Sequence, residues 1–441
     1  MSRLLRVRQI AADNRRTQFT SLFHYLSKEL LWSSFYQLNR RSAPGVDGVS
    51  WTAYEEGLDA RLTQLADKLR HGSYRPRPAR RMYIPKADGS QRPLSILCVE
   101  DKIVQQAAVT VMEHIYEKDF LGFSYGFRPG RGQHDALDAL YVGITKRKVN
   151  WVLDLDLRKF FDRVEHDWLI KFLQHRIRDK RLIRLLTQWM KVGHYDEDGK
   201  HVNSARGVPQ GGVISPLLAN IYLHYCLDLW VNQWRKHPSL GDVIIVRYAD
   251  DAVLGFQRKD EADCFLKLLH QRLDKFGLEL NAEKTKLIRF GRFARSAHRE
   301  HGYGKPQSFD FLGFTHSCAV KRCGKEFFLL RQTAKSRMRT TLQQVKVWLH
   351  KNRHKSIPEQ MSWLTRVLRG HFNYFGVPGN AMRIGRFRSE AGKYWLKALR
   401  RRSQRYNLIW AKFGRFFNMS MPKATVLHPY PNQRFGVKYS R

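Results

Sequence analysis

Four aspartates stand where the sequence otherwise reads as β-strand. In Trp151-Val-Leu-Asp-Leu-Asp-Leu157, strict alternation sets Val152, Asp154 and Asp156 on one face and Leu153, Leu155 and Leu157 on the other. In Val243–Phe256, two β-branched apolar runs flank Tyr248-Ala-Asp-Asp251, which predicts a hairpin with adjacent carboxylates at its tip. Aspartate is depleted in strands and costly near a core unless it is paired or bound to a cation. A turn explains one such residue through local hydrogen bonds, but not a pair between apolar strands. Two strand-borne acid sites that converge can hold divalent cations. Magnesium takes carboxylate oxygens together with substrate phosphates, and two ions roughly 3.5–4 Å apart clamp an in-line displacement at phosphorus.

The composition supplies the substrate class. The 441 residues carry 79 Lys and Arg against 39 Asp and Glu, a net charge of +40. With hydrophobic residues at 43% the chain folds, and so large a surplus implies a polyanionic partner, nucleic acid ahead of an anionic membrane. Strand carboxylates on such a protein point to nucleotidyl transfer. The five cysteines form no C-x-x-C pair, which argues against a disulfide scaffold or a zinc ribbon. The N-terminus has no sustained apolar stretch, and the run from Gly211 to Val231 is broken by Pro216, Asn220, His224 and Asp228. A soluble, cytoplasmic protein is expected.

The elements that must position the acids form an α+β body with a basic helical region behind it. From residue 331 onward there are 25 Lys and Arg and two acids, Glu359 and Glu390, so a quarter of the chain holds more than half the surplus charge. This places a candidate boundary near 331. Met338, Thr341, Leu342, Val345, Trp348 and Leu349 recur at helical spacing, as do Ala391, Tyr394, Trp395, Ala398 and Leu399. The wet faces of both predicted helices are cationic. Segment 290–305, rich in Arg, His and Gly, reads as a loop.

Tyr248-Ala-Asp-Asp251 together with the upstream Asp156-Leu-Arg-Lys-Phe-Phe-Asp162 resembles motifs C and A of reverse transcriptases. The surrounding sequence is most similar to the reverse transcriptase–maturases encoded by bacterial group II introns. The ordered set runs through Ala43-Pro-Gly-Val-Asp-Gly48, Ile84-Pro-Lys-Ala-Asp-Gly-Ser-Gln-Arg-Pro-Leu94, Asp101-Lys-Ile-Val-Gln105 and Ser124-Tyr-Gly-Phe-Arg-Pro-Gly-Arg131. It continues with the Gly207–Tyr222 segment, Asn281-Ala-Glu-Lys-Thr285 and Phe309-Asp-Phe-Leu-Gly-Phe314.

The resemblance implies a right-hand polymerase. It places fingers and palm in 1–330, a helical thumb or maturase region in 331–405 and a short basic DNA-binding segment in 406–441. It makes Asp156, Asp250 and Asp251 the catalytic metal ligands, helped by the Leu157 carbonyl, with Asp162 a structural acid. The cofactor is two Mg2+ ions, for which Mn2+ can substitute. Phe161 becomes a gate against the 2′-hydroxyl, although spacing alone reads Phe160 and Phe161 as core. Lys86 and Arg92 flank a polar turn and can fold over a triphosphate, or form an ordinary basic hairpin. Gln210 lies in a loop whose glycines suit close approach to a base pair, and Ser215-Pro216 reads as N-cap and first turn of the next helix. Lys284 and Lys286 are candidates for a charge near pyrophosphate. Phosphate contacts are expected from Arg383, Arg386, Arg388, Lys393, Lys397, Arg400 and Arg401, whereas Trp348, Trp363, Trp395 and Trp410 read as core. The implied partners are group II intron RNA, an RNA template with a DNA or RNA primer, and target DNA, with no membrane and no zinc. The lack of paired cysteines further implies no DNA endonuclease domain. Two rival readings share much of this sequence: a domesticated relative in phage defence or a CRISPR-linked system, and a non-catalytic RNA-binding splicing factor.

Overall fold

The computed structural model describes residues 2–85, 89, 91–237, 240–300, 304–320, 327–402 and 408–439. Its strands, in chain order, are β1 (Ala79–Pro85), β2 (Gln91–Ile96), β3 (Trp151–Leu155), β4 (His194–Tyr195), β5 (His201–Val202), β6 (Val243–Tyr248), β7 (Asp251–Phe256), β8 (Lys286–Arg289), β9 (Phe309–Phe311), β10 (Phe314–Val320) and β11 (Phe327–Thr333). They form three sheets, in the orders β2-β1-β4-β5, β6-β7-β3-β8 and β11-β10-β9. No described helix is long and apolar enough to cross a membrane.

The β6-β7-β3-β8 sheet is antiparallel throughout and is the shared wall of two hydrophobic cores. Period-2 alternation makes this possible, because it gives each strand two apolar faces. Leu153, Leu155, Ile245, Leu254 and Phe256 enter the first core, built with the helices Ser2–Asp13, Lys28–Gln37, Leu58–Arg70, Val99–Asp119 and Lys259–Lys275. Val152, Val246, Val253 and Ile288 enter the second, shared with the helix Gln133–Lys146, the β9–β11 sheet and the C-terminal helices.

Those C-terminal helices, Lys335–Lys351, Ile357–Phe375, Ala381–Arg400 and Trp410–Ser420, pack by the apolar stripes read from the sequence. Met338, Leu342, Val345, Leu349, Ala391, Trp395 and Ala398 are buried. Trp348 stacks on Trp363 with ring centroids 3.9 Å apart, and Trp395 donates from Nε1 to Gln360 Oε1 at 2.8 Å, so these rings are packing elements. Ser356 starts the 357–375 helix through a capping box with Glu359, and Pro358 fills its first turn.

Several local expectations are corrected. Segment 290–305 contains a helix, Ala294–Glu300, because Ala294 and Ala297 supply a buried stripe three residues apart beneath the basic side chains. The change in charge balance at 331 falls inside β11, where Arg331 is buried against Asp138 at 3.0 Å. Composition reports surface charge and is blind to strand ends. Ser215 is the first helical residue and not the cap; its hydroxyl donates to the Pro209 carbonyl at 2.7 Å. The tail expected to bind DNA is partly built into the body. Phe413, Phe417 and Met421 lie in the second core, and Arg434 of the helix Pro431–Tyr439 reaches Asp138 on the 133–146 helix at 2.7 Å.

The second core also buries histidines. His316, 0% exposed and stacked on Phe309, is pushed down to about 3 by burial and the nearby Arg331 charge. Burial likewise lowers His134 and His371 to about 4. Below about 6.5 the unfolded chain takes up protons that the folded chain refuses, so this stability is complete above that pH and lost as pH falls toward 4. His316→Phe keeps the stack and removes the titration. It should shrink the loss of stability between pH 7 and pH 5 by about 2 kcal/mol, measured by urea unfolding at both pH values.

Candidate active site

The carboxylates meet because β3 and β7 pair antiparallel in one register. Leu155 faces Ala252 and Asp154 faces Val253, so the next step places Asp156 opposite Asp251. Asp154, Asp156 and Asp251 share the sheet face that carries Val152 and Val253, at the point where the second core no longer covers it. They line a cleft of about 460 Å³, joined by Glu283, Lys284 and Asp310. Removal from bulk water, then Asp251 and Asp156, raise Asp154 to about 7. Asp251 keeps exposed surface, but the cleft's shielding followed by Asp250 and Asp156 raises it to about 6. Burial also raises Asp250, against the pull of its own backbone N–H and of Arg92.

Asp156 is gripped by the Asn281–Thr285 segment. Asn281 donates from Nδ2 to Oδ2 at 3.0 Å and from its backbone N–H to the Asp156 carbonyl at 2.9 Å. Lys284 Nζ lies 3.7 Å from Oδ2, and Lys286 faces Asp154 across β8. The two lysines therefore face the acids. Leu157 bridges Leu280, in a pairing whose bonds use the Asp156 carbonyl and not that of Leu157.

The hairpin tip is held from beneath by a group absent from the expected site residues. Ala249 takes φ +57° in the two-residue turn between β6 and β7, a conformation that L-residues other than Asn and Asp seldom adopt. Gly126 of the Ser124–Arg131 segment abuts it so closely that a Cβ would lie 2.3 Å from the Ala249 nitrogen. Arg247, fully buried, bonds Asp228, Asn220, Ser124 and the Ala249 carbonyl. A signal was present in the sequence: an Arg in the apolar run before the turn, and an Asp interrupting the apolar run 211–231.

The remaining expected contacts are more mixed. Arg92 is exposed on β2 opposite Ile84, within electrostatic reach of Asp250, and Lys86 lies outside the described residues. Phe161 is half-buried beside the buried Phe160, with ring centroids 5.4 Å apart, and its carbonyl accepts from Val208 N–H at 2.8 Å. Gln210 points its amide at Asp162 Oδ1, 3.4 Å away, and its carbonyl accepts from Ser95 N–H at 2.6 Å. The loop glycines do not simply leave room for a base pair. A Cβ on Gly207 would lie 2.8 Å from the Phe161 carbonyl, and one on Gly211 would lie 2.7 Å from the Ser95 carbonyl. They let the loop lie flat on protein backbone.

Among the thumb bases, Arg388 is the clear correction. Its guanidinium donates to the Pro422 carbonyl and Asn418 Oδ1, each at 2.7 Å, and lies over the Phe417 ring, closing the end of the 410–420 helix. Lys393 pairs with Glu390 at 2.9 Å, and Arg400 donates to the Leu408 carbonyl at 2.6 Å. Arg386 is exposed and Arg383 half-buried. Lys397 and Arg401 line a groove of about 380 Å³ with Lys346, His350 and Lys351 of the neighbouring helix and Arg353 of the turn after it.

The donor set suits a hard divalent cation, since the side chains offered are carboxylates, and burial has made ionisation of Asp154, Asp250 and Asp251 costly without one. Among the described residues no three His, Cys, Asp or Glu side chains are grouped so as to hold a metal ion by themselves.

The model of the reverse transcriptase (RNA-dependent DNA polymerase) family matches residues 84–316, and the chain belongs to that family. It is accordingly an RNA-directed DNA polymerase with a mixed α+β fold, of a family that works with divalent metal ions. Its relatives include Protein YkfC of Escherichia coli, 39% identical over 277 residues, covering 55% of this chain and 72% of that protein. Group II intron-encoded protein LtrA of Lactococcus lactis is 33% identical over 240 residues, 53% of this chain and 39% of LtrA. A putative COX1/OXI3 intron 1 protein of Saccharomyces cerevisiae is 30% identical over 271 residues, 51% of this chain and 32% of its own length. The match thus spans well under half of the two intron proteins.

Gly207→Ala should lower stability by about 1–3 kcal/mol, because a Cβ meets the Phe161 carbonyl at a φ of +85°. Urea denaturation measures the loss. Gly48→Ala, equally positive in φ but facing open space, is the control for backbone strain alone.

Proposed function

We propose that this chain is the reverse transcriptase–maturase of a group II intron, copying RNA into DNA and binding intron RNA to assist splicing and mobility. The observation that carries the catalytic reading is the convergence of Asp156, Asp250 and Asp251 at one edge of the β3–β7 pair. The relatives named as intron proteins and the net charge of +40 support the choice of partner. We assign 1–330 to fingers and palm and 331–405 to the thumb, with β11 carrying the chain across that boundary, and 406–441 to a basic DNA-binding segment that also braces the thumb.

In this reading Asp156, Asp250 and Asp251 hold two Mg2+ ions, for which Mn2+ can substitute. Bound there, the ions supply Lewis-acid stabilisation of the primer 3′-oxygen and of the departing pyrophosphate during attack on the α-phosphorus. Asn281 and Lys284 keep the Asp156 carboxylate aimed into the cleft. Arg92, with Lys86, meets the triphosphate of the incoming deoxynucleotide; Arg brings a planar fork and Lys a point charge. Phe161, fixed by its backbone bond to Val208, packs beneath the sugar and rejects a 2′-hydroxyl, and Gln210 follows the base pair from the same loop. Phosphates of bound RNA lie along the groove that holds Lys397 and Arg401, with Arg383, Arg386, Lys393 and Arg400 at its approaches.

Primer extension on poly(rA)/oligo(dT) with dTTP and magnesium tests the metal site. Asp250→Ala should abolish extension, by a factor of at least 10³, while RNA affinity stays within twofold. Extension at the unmutated rate would refute the assignment. In the same assay, Phe161→Ala should raise the ratio of rUTP to dTTP incorporation by at least tenfold, with dTTP incorporation retained.

A further inference from the structure

The Arg247 side chain sits behind the catalytic turn and touches neither substrate nor cleft, yet every one of its donors is engaged. An arginine offers five N–H groups. Here Nε donates to Asp228 Oδ1 at 2.7 Å and Nη2 to Asp228 Oδ2 at 2.5 Å. Nη2 also reaches Ser124 Oγ at 2.7 Å, and Nη1 divides between Asn220 Oδ1 at 3.1 Å and the Ala249 carbonyl at 2.8 Å. Both charges are 0% exposed. A buried pair of this kind is weak evidence for stability, since its desolvation offsets much of its attraction; its use lies in fixing geometry.

The geometry it fixes is that of the residue before Asp250. Ala249 is held at positive φ, a strained choice for a residue with a Cβ. Its carbonyl is tied by Arg247 from below, and its nitrogen is closed in by Gly126. Arg247's own backbone is locked as well, its N–H to the Phe123 carbonyl and its carbonyl to the Tyr125 N–H, both at 2.9 Å. Asn220 fastens the same segment through the Gly126 carbonyl at 2.8 Å.

The helix that supplies the partners is shaped for this purpose. Its residues run as α-helix from Ser215 to Leu223, π-helix from His224 to Asp228 and α-helix again to Trp234. In an unbroken α-helix, residues eight apart sit roughly 80° from each other around the axis. The wider π turn rotates less per residue, which swings Asp228 back toward the face of Asn220 so that one guanidinium meets both.

We propose that Arg247 is a positioning residue for catalysis: with Asp228, Asn220 and Ser124 it holds the Ala249–Asp250 turn in the one conformation that presents Asp250 to divalent cations. The proposal rests on the assignment of Asp250 to the metal site. A lysine at 247 retains a charge for Asp228, but its single nitrogen cannot span the carboxylate, Asn220, Ser124 and the Ala249 carbonyl together.

The test compares the full-length chain with R247K, R247M/D228L and D250A. The double variant removes both charges, so neither is left buried alone. Four quantities are read: Mn2+ binding by electron paramagnetic resonance without nucleic acid, kcat and KM for dTTP, RNA affinity, and the melting curve. For a folded R247K or R247M/D228L the expected result is an Mn2+ half-saturation raised at least fivefold and kcat lowered at least tenfold, with KM and RNA affinity within threefold. Unchanged Mn2+ binding overturns the proposal, whatever happens to kcat. So does RNA affinity falling in step with activity, or loss of folding in both variants, either of which places Arg247 in the fold at large. If D250A itself binds Mn2+ and extends primers normally, the metal-site reading fails; if only the Arg247 variants behave normally, the positioning role alone fails.

Discussion

Three aspartates, Asp154, Asp156 and Asp251, crowd one cleft beside the turn that carries Asp250, and the central sheet is arranged around that crowding. Asp154 is raised to about 7 and Asp251 to about 6, and in each case shielding from water outranks any single neighbour as the cause. Side chains free to choose would separate or stay protonated. They cannot separate, because the β3–β7 register fixes Asp154, Asp156 and Asp251 on one sheet face and the two-residue turn fixes Asp250. The protein's own cations relieve the strain only in part. Lys284 stands 3.7 Å from Asp156, Lys286 faces Asp154, and Arg92 and Arg337 act from the sides. A cleft so charged has a standing affinity for divalent cations, and substrate phosphates can complete their coordination.

The same sheet also ties the 335–420 helices to the body that carries the acids. Its second face, Val152, Val246, Val253 and Ile288, lies in one core with the helices of 335–420. Asp138 of the 133–146 helix accepts Arg331 from β11 and Arg434 from the terminal helix, so three distant stretches of chain close on one carboxylate. His428 adds a second fastening, stacking on His134 at 4.0 Å and contacting the Asn373 carbonyl. The basic C-terminal helices are thereby fixed relative to the acids.

What could be read from the sequence was whatever depends on local spacing. The hairpin around Asp250, the two faces of β3 and the apolar stripes of the 335–351 and 381–400 helices follow from periods of 2 and 3.6, and each lies where those periods place it. What could not be read was the identity of distant partners. Arg388 is expected among the same phosphate contacts as Arg401, yet it caps a helix some thirty residues further on, at Asn418. Ser215 has the chemistry of a cap and bonds Pro209 instead. The glycines of the 207–212 loop read as suited to close approach to a base pair, while Cβ atoms on Gly207 and Gly211 would meet the carbonyls of Phe161 and Ser95. In each case side-chain type was informative, and the fold decided which neighbour received it.

This distinction also bears on the surplus charge. Arg247 and Arg331 count toward +40, but each is buried against a carboxylate, so neither can release counterions on binding RNA, and Arg388 is partly committed to the Pro422 carbonyl. Lys397 and Arg401, by contrast, stay exposed in a groove shared with Lys346 and Lys351. Net charge therefore overstates the phosphate-binding capacity of the chain, and the cations that matter are those on helix faces opposite the apolar stripes. The arginines placed inside do the opposite work: their planar, multidentate heads fix geometry where a point charge could not. Arginine in an apolar strand is the sequence feature that separates the two uses, and Arg247 and Arg331 both occupy such strands.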